Sequence, residues 1–582
     1  MGKIAKSSFW LLWPYLRSYR KLWIAGFVAV FFASLFRVIT PKILGHAIDA
    51  LSEKVTMNEL LQYAGEILGL TILSALFTYF QRQTLIVASR MIERDFRNDF
   101  FAHLLSLDRP YYDKMPTGDL MARASNDMDS VRNMLGPAIM NMLSTAFTVI
   151  LALAFMISLN PRLTLLAMLP MPVITVLVLV LGRKIHDRYT IIQETYSDIT
   201  AQAQENFSGI RVVKSYVQEK AEIEEFSSIN MDYIIKNMSM IKIWGMFFPA
   251  IALFSGIAVV MILWFGGKAV IAGTISLGSF VAFIAYLLML IWPMAAIGWV
   301  VGLYQRGMAS LTRIEEILNA RPVVTDGHDI LKKKIVGKIE LRDLHFSYNS
   351  HEILKGMNVE IEPGMSVAII GGTGSGKSTL VSLLMRAYPV PRGMIFIDDI
   401  DINDYSLDSI RSQVAPVMQE TFLFSETILS NIVFGNREQS LESAMKSAMT
   451  AGLAAEIEEF PQKYDTILGE RGMTLSGGQK QRAALARALA TDPRILILDD
   501  AFSSVDTHTE EAILTNLKER LKGRTSLIIS HRISTVKNAD LILVISDGQF
   551  VERGRHNELL ELGGLYAQLY ERQLLKEELE EL

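Results

Sequence analysis

The sequence predicts two joined architectures: an all-α membrane domain of six helices, then an α/β domain. Three observations predict them. Six apolar segments in the first half each approach the ~20 residues that span a bilayer. From Gly337 the pattern becomes short apolar strands alternating with helices. Inside that second pattern, Gly371-Gly-Thr-Gly-Ser-Gly-Lys-Ser378 forms a G-x-x-x-x-G-K-S loop between a strand and a helix.

Composition agrees with this division. A chain of 582 residues is long enough for several units. Half of it is hydrophobic, and its mean hydropathy of +0.28 is high for a soluble protein. A net charge of −4 argues against a nucleic-acid partner. There is no cysteine, which excludes disulfides, thiol catalysis and thiolate-held metal. No cleavage-site pattern follows the first apolar run, so the N-terminus reads as an uncleaved anchor. Residues 8–20 mix aromatic and basic side chains, as a short helix at a membrane interface would.

The spans fall at about 22–48, 60–84, 136–159, 161–182, 243–266 and 277–303. Arg82, Arg90, Arg94, Arg97, Arg109, Lys114, Arg123 and Arg132 lie between the second and third, and Arg183 and Lys184 follow the fourth. The opposite side offers little beyond Lys54, Arg162 and Lys268. The positive-inside rule then puts both termini and the two long loops in the cytoplasm. Each long loop reads as helices continuing past the bilayer, joined by a short crossing helix near Asp113–Asp127 and near Ser208–Glu219. Within the membrane, Arg37 and Glu66 are expensive charges. They could pair with each other or serve function. Trp244, Met246, Phe247, Phe248, Met261, Trp264, Phe283, Tyr286, Met289, Trp292 and Met294 suit either a cavity for varied apolar ligands or ordinary helix packing.

Pro, Gly and charge in 321–336 mark a boundary between a transmembrane domain, 1–320, and a nucleotide-binding domain, 337–582. In the phosphate loop, Gly371, Gly372, Gly374 and Gly376 let backbone N–H groups around Thr373 and Ser375 close on phosphate oxygens. Lys377 would reach the terminal phosphates of ATP, and the Ser378 hydroxyl would ligate Mg²⁺, with Thr379 in the helix behind it. Tyr348, at a strand end, could stack on adenine. Gln419 opens a loop after a strand and could ligate Mg²⁺ or hold a water. Ser476, Gly477, Gly478 and Gln479 precede an Ala/Arg-rich helix and present a second anion site, which suggests ATP sandwiched against another subunit. Asp499 ends an apolar strand and would hold Mg²⁺. Asp500 should orient the attacking water, His531 should contact the γ-phosphate, and Ser503–Asp506 could cross the nucleotide interface.

In this order, these segments resemble an ABC exporter half-transporter, six membrane helices fused to a P-loop ABC ATPase domain. The resemblance covers essentially the whole chain. It implies an adenine-stacking loop at Tyr348, Walker A at Gly371–Ser378, a Q-loop at Gln419 and a signature at Leu475–Gln479. It also implies Walker B at Asp499, a D-loop ending at Asp506, a switch at His531 and an exporter loop at Gly469-Glu-Arg-Gly472. The family's usual residue after the Walker B aspartate is Glu, and here it is Asp500. One methylene fewer retracts the carboxylate by about 1.5 Å, which implies slow hydrolysis at this chain's own Walker site. That resembles the degenerate-site subunit of bacterial heterodimeric multidrug exporters of the MdlA and BmrC kind. The implied partners are a second half-transporter carrying the catalytic Glu, membrane lipid and a small amphipathic substrate. The implied location is the bacterial cytoplasmic membrane. A homodimeric lipid or peptide exporter and an ATP-gated regulator or channel are the alternative readings.

Overall fold

A computed structural model describes residues 9–52, 56–326, 333–469, 472 and 475–581. The expected anchor at residues 1–8 and Lys54 lie outside this range, as do part of the 321–336 linker and the middle of the exporter loop. The described residues form two compact units. One holds the chain up to Ser106 with Pro116–Ala320, and the other holds Leu107–Met115 with the chain from Arg321.

Six helical segments of the first unit are long and apolar enough to cross a membrane: Arg20–Ser52, Met57–Ser106, Thr117–Leu159, Pro161–Ser208, Glu219–Ile271 and Leu277–Leu318. The 53 residues of Glu219–Ile271 extend about 80 Å at 1.5 Å per residue, against a hydrocarbon core of about 30 Å. The surplus length must stand outside the bilayer, and there its composition turns polar. Arg313 pairs with the buried Asp127, which also accepts from Ser310 Oγ at 2.8 Å. Arg97 and Arg132 both reach Glu93, at 2.7 and 3.4 Å. Before the first span, a short helix, Trp13–Ser18, leaves Trp10 and Trp13 exposed. Tyr15 and Tyr19 tie it down by donating to Asp99 and Asp95, each at 2.6 Å.

Two expectations within the spans resolve differently. Among the described residues no ion pair joins Arg37 to Glu66. Arg37 is exposed, and Glu66 accepts from Gln62 Nε2 at 3.1 Å, one turn away on its own helix. Of the large apolar residues, Phe283 and Tyr286 are fully buried in helix packing, whereas Trp244, Met246, Phe248, Trp264 and Trp292 are exposed.

Short connectors make neighbouring helices pack, and small residues set how closely. A Cβ on Gly278 would fall far inside contact distance of Gly45 O, and one on Gly45 would lie 2.7 Å from Gly278 O. The first and sixth spans therefore touch backbone to backbone. Beside this contact, Asp49 accepts from Gly278 N at 2.6 Å and Ser276 Oγ at 2.5 Å, satisfying donors at the sixth helix's start.

The first crossing lies earlier than the expected Asp113–Asp127. Its short helix is Arg109–Tyr112, and the chain is helical again from Thr117. Prolines explain the shift. Pro110 suits a first helical turn, and Pro116 stands just before the next helix. The second crossing, Ile210–Ser215, falls within the expected Ser208–Glu219.

The second unit holds two sheets. Strands β1 (Ile339–Tyr348), β2 (His351–Ile361), β4 (Ile395–Ile397) and β5 (Ile400–Asp401) form an antiparallel sheet in the order β2-β1-β4-β5. Strands β3 (Ser366–Gly371), β6 (Val414–Val417), β7 (Ile495–Asp499), β8 (Thr525–Ile529), β9 (Leu541–Ser546) and β10 (Gln549–Gly554) form the other, ordered β10-β9-β3-β8-β7-β6. All its pairings are parallel except β9 with β10. Strands β7 and β8 are buried at every residue, as a sheet covered on both faces requires.

Replacing Gly278 with Ala should destabilise the membrane unit by about 1–3 kcal/mol, because backbone cannot yield as a side chain does. Thermal unfolding in detergent checks this. Gly65→Ala, where a Cβ meets nothing within 4 Å, serves as the control and should leave the midpoint unchanged or higher.

Candidate functional site

Parallel register builds the site. Val417 pairs with Leu498, and Asp499 with Ile529. The C-terminal ends of β3, β6, β7 and β8 thus lie along one edge, where open α/β sheets bind ligands. That edge brings together the phosphate loop after β3, Gln419 after β6, Asp499 and Asp500 at β7, and His531 after β8.

The loop is shaped by its glycines. Gly374 and Gly376 have φ of +81° and +102°, and a Cβ on Gly376 would meet Leu354 Cδ2 at 2.6 Å. Gly372, Thr373 and Gly374 form an exposed rim, while Ser375 and Lys377 are buried. Lys377 Nζ donates to Gly371 O at 2.9 Å and Gly372 O at 2.7 Å, with Ser375 Oγ at 3.4 Å. Among the described residues this buried ammonium donates hydrogen bonds to neutral acceptors, a fitting seat for phosphate. Burial pushes its pKa down, against the pull of Asp500 and Asp499.

Two buried carboxylates face this lysine. Burial holds the Asp499 pKa above the ordinary aspartate value, and neighbouring Asp500 adds to the shift. A hydrogen bond from Ser378 and the charges of Lys377 and His531 oppose it. Adjacent buried carboxylates call for a cation. Among the described residues no cluster of three or more His, Asp or Glu could hold a metal by itself. The oxygen donors Ser378, Gln419 and Asp499 fit Mg²⁺ that arrives with nucleotide phosphates.

Asp500 is the meeting point. Its Oδ2 lies 3.4 Å from Gln419 Nε2 and 3.3 Å from His531 Nε2. Its backbone has φ of +47°, a conformation aspartate tolerates better than most residues, and its N–H donates to Ile529 O at 2.9 Å. The sequence places these three residues at the ends of three separate strands, and the fold joins them on one oxygen.

The remaining site residues stand elsewhere. Ser476 caps helix Gly477–Ala490, accepting from Gln479 N at 3.2 Å while Gln479 Oε1 accepts from Ser476 N at 2.8 Å. A Cβ on Gly478 would sit 2.8 Å from Ser504 O, so glycine there admits the D-loop. Asp506 caps helix Thr507–Arg520, accepting from Thr509 N at 2.9 Å. Tyr348 is half-buried and packs edge-on against Phe346 and Tyr388, with centroids 5.0 and 5.1 Å away.

Three positioning residues escaped the sequence reading. Gln481 locks the signature helix to the D-loop, donating to Ser503 Oγ at 2.7 Å and accepting from Ser504 N at 2.9 Å. Arg487 donates to Phe422 O at 2.9 Å and Asn431 O at 2.8 Å, holding the loop that carries Gln419. Tyr388 packs edge-on against Tyr348 and donates to Asp113 in the first crossing. Their only sequence signal was polarity on apolar helices or beside a glycine-rich loop.

Fold and site together define a nucleotide-dependent ATPase domain joined to a membrane domain. Comparison with known proteins agrees. Residues 23–294 match the family model for the ABC transporter transmembrane region, and residues 354–503 match the model described as ABC transporter. A probable multidrug resistance ABC transporter ATP-binding/permease protein of Bacillus subtilis, YheI, is 36% identical over 96% of this chain and 97% of its own. Escherichia coli MdlA, a multidrug resistance-like ATP-binding protein, is 34% identical over 98% and 97%. The ATP-dependent lipid A-core flippase of Aromatoleum aromaticum is 38% identical over 83% and 80%. A solved bacterial Atm1-family ABC exporter with ATP bound superposes with a TM-score of 0.79 at 26% identity, covering 95% of this chain and 98% of that one. The chain belongs to the ABC exporters and is a multi-pass membrane protein.

Asp499 also predicts a pH dependence. Its raised pKa means the folded protein holds this proton more tightly than the unfolded chain. The associated stability is complete below the ordinary aspartate pKa and is lost as pH rises through the raised value. In nucleotide-free, metal-free protein, Asp499→Asn should flatten that fall in thermal midpoint. Parallel profiles for the two proteins would contradict it.

Proposed function

We propose that this chain is one half of an ATP-driven exporter of amphipathic compounds, paired with a second subunit that supplies a catalytic Glu. In this reading it lies in the bacterial cytoplasmic membrane with both termini in the cytoplasm. Lys377 and the loop N–H groups hold the terminal phosphates of ATP. Asp500 orients a water for attack on the γ-phosphorus and takes up its proton, His531 steadies the γ-phosphate, and ADP and phosphate leave. Magnesium, held by Ser378, Gln419 and Asp499, would neutralise phosphate charge. The signature at Ser476–Gln479 has its contacts within its own helix and the D-loop, so it is available to complete a partner's site. Closure of the paired ATPase domains would pull on the crossings, one of which already bonds Tyr388.

The carrying observation is Asp500. Its short, buried carboxylate is engaged by Gln419 and His531, the arrangement of a catalytic group with restricted reach. That supports a slow site in a heterodimer. The same convergence favours a second reading, a homodimer in which Asp500 is the working base.

ATP hydrolysis by the chain purified alone in lipid, with Lys377→Ala as the blank, separates the two. The heterodimer reading expects turnover near the blank with ATP still bound, and a rise on the order of tenfold or more in Asp500→Glu. Robust wild-type turnover that Asp500→Glu fails to increase would establish the homodimer.

A further inference from the structure

A cavity of about 630 Å³ lies within the membrane unit, between helices Met171–Ser208, Glu219–Ile271 and Leu277–Leu318. Two contacts fix the register of the first and third. Thr175 Oγ1 reaches Met294 Sδ at 3.6 Å, and a Cβ on Gly298 would lie 3.6 Å from Val178 Cγ1. Both pairs differ by about 120 positions, so the helices run parallel and the cavity is layered. One layer holds Val178 and Leu179 opposite Trp299, with Phe247 from helix Glu219–Ile271. The next, toward the helix C-termini, holds Arg183 and His186 opposite Gln305 and Arg306.

Glycine makes the space. A Cβ on Gly182 would meet nothing within 4 Å, and one on Gly302 would meet only the Arg306 guanidinium, at 3.4 Å. Arg306 thus folds back along its helix toward the apolar layer. No described lining residue is acidic, and among the described residues neither Arg183 nor Arg306 forms an ion pair. Both arginines are exposed, and with Trp299 and Phe247 they line a cavity that offers cationic groups and an apolar wall but no described acid.

We propose that this cavity binds an anionic amphiphile. Arg183 and Arg306 hold its acidic head, with His186 and Gln305 as further polar contacts, and its apolar body lies against Val178, Leu179 and Trp299. The inference deepens the export reading, and rests on it, by naming the charge of the substrate class. A carboxylate, sulfonate or phosphate head shares the chemistry, whether it arrives as a solute or as a lipid.

Binding of dansyl-undecanoic acid to the full chain in phosphatidylcholine nanodiscs, without ATP, tests this apart from transport. The acid should bind at least about tenfold more tightly than its amine-terminated analogue of equal length. Replacing both Arg183 and Arg306 with Ala should remove that preference, the Lys pair should keep it, and Gly182→Leu should block both probes. Equal binding of the two probes by the wild type, which needs no variant to fold, would overturn the proposal. So would binding of the acid indifferent to the Ala pair and to Gly182→Leu. If phosphatidylglycerol in the disc displaces the probe, the native head is a lipid's; if not, it is a solute's. Arginine-dependent binding, with no ATP-driven movement of the probe in sealed vesicles that hold this chain together with a partner subunit carrying the catalytic Glu, would leave this site standing and sink the export reading.

Discussion

Buried charge at the C-terminal edge of the parallel sheet is the constraint on which the ATPase unit depends. Lys377, Asp499 and Asp500 are all less than a tenth exposed, in a unit whose central strands are otherwise apolar. Charges out of water are tolerated only when compensated. Here compensation is incomplete within the chain. The lysine rests on carbonyls, and the two carboxylates stand side by side. Phosphate and a divalent cation would complete both halves at once, so the burial of these charges selects the ligand. The loop glycines, the serine after the lysine and the length of β7 all serve to keep these charges within reach of one another.

The membrane unit answers a different constraint. Lipid provides no hydrophobic drive between helices, so close packing must come from small residues. Gly45 and Gly278 supply it between the first and sixth spans. Where glycines face open space instead, as Gly182 does, they leave a cavity. The same residue type therefore closes one end of the helical unit and opens a chamber nearer the other. Outside the bilayer, surplus helix length is held by Asp127 with Arg313 and by Glu93 with two arginines, nearly buried carboxylates whose Arg313 and Arg97 partners remain open to water.

Much of this was legible beforehand because the signals were local. A phosphate loop needs consecutive glycines and a lysine, a membrane span needs an unbroken apolar run, and a buried parallel strand needs one too. Where the structure differs from the sequence pattern, the deciding force is either not local or a proline that overrides helical periodicity. Helical periodicity suggested a crossing at Asp113–Asp127, but Pro110 and Pro116 set it earlier. The Arg37–Glu66 pair was plausible from depth alone, yet helix rotation leaves Arg37 exposed and Glu66 bonded to Gln62.

The sequence alone determined the two architectures, the six spans, the order of the nucleotide motifs and the unusual aspartate at 500. Each is written in residues close together in the chain, where backbone geometry and hydropathy act directly. Only tertiary structure decided that Gln419, Asp500 and His531 meet on one carboxylate oxygen, since parallel register aligns strand ends that lie far apart in sequence. It also decided that Gln481 and Arg487 hold the signature and glutamine loops. And it decided that Arg183 and Arg306, 123 residues apart, share one cavity, because two parallel helices in a fixed register put their cationic turns at the same height.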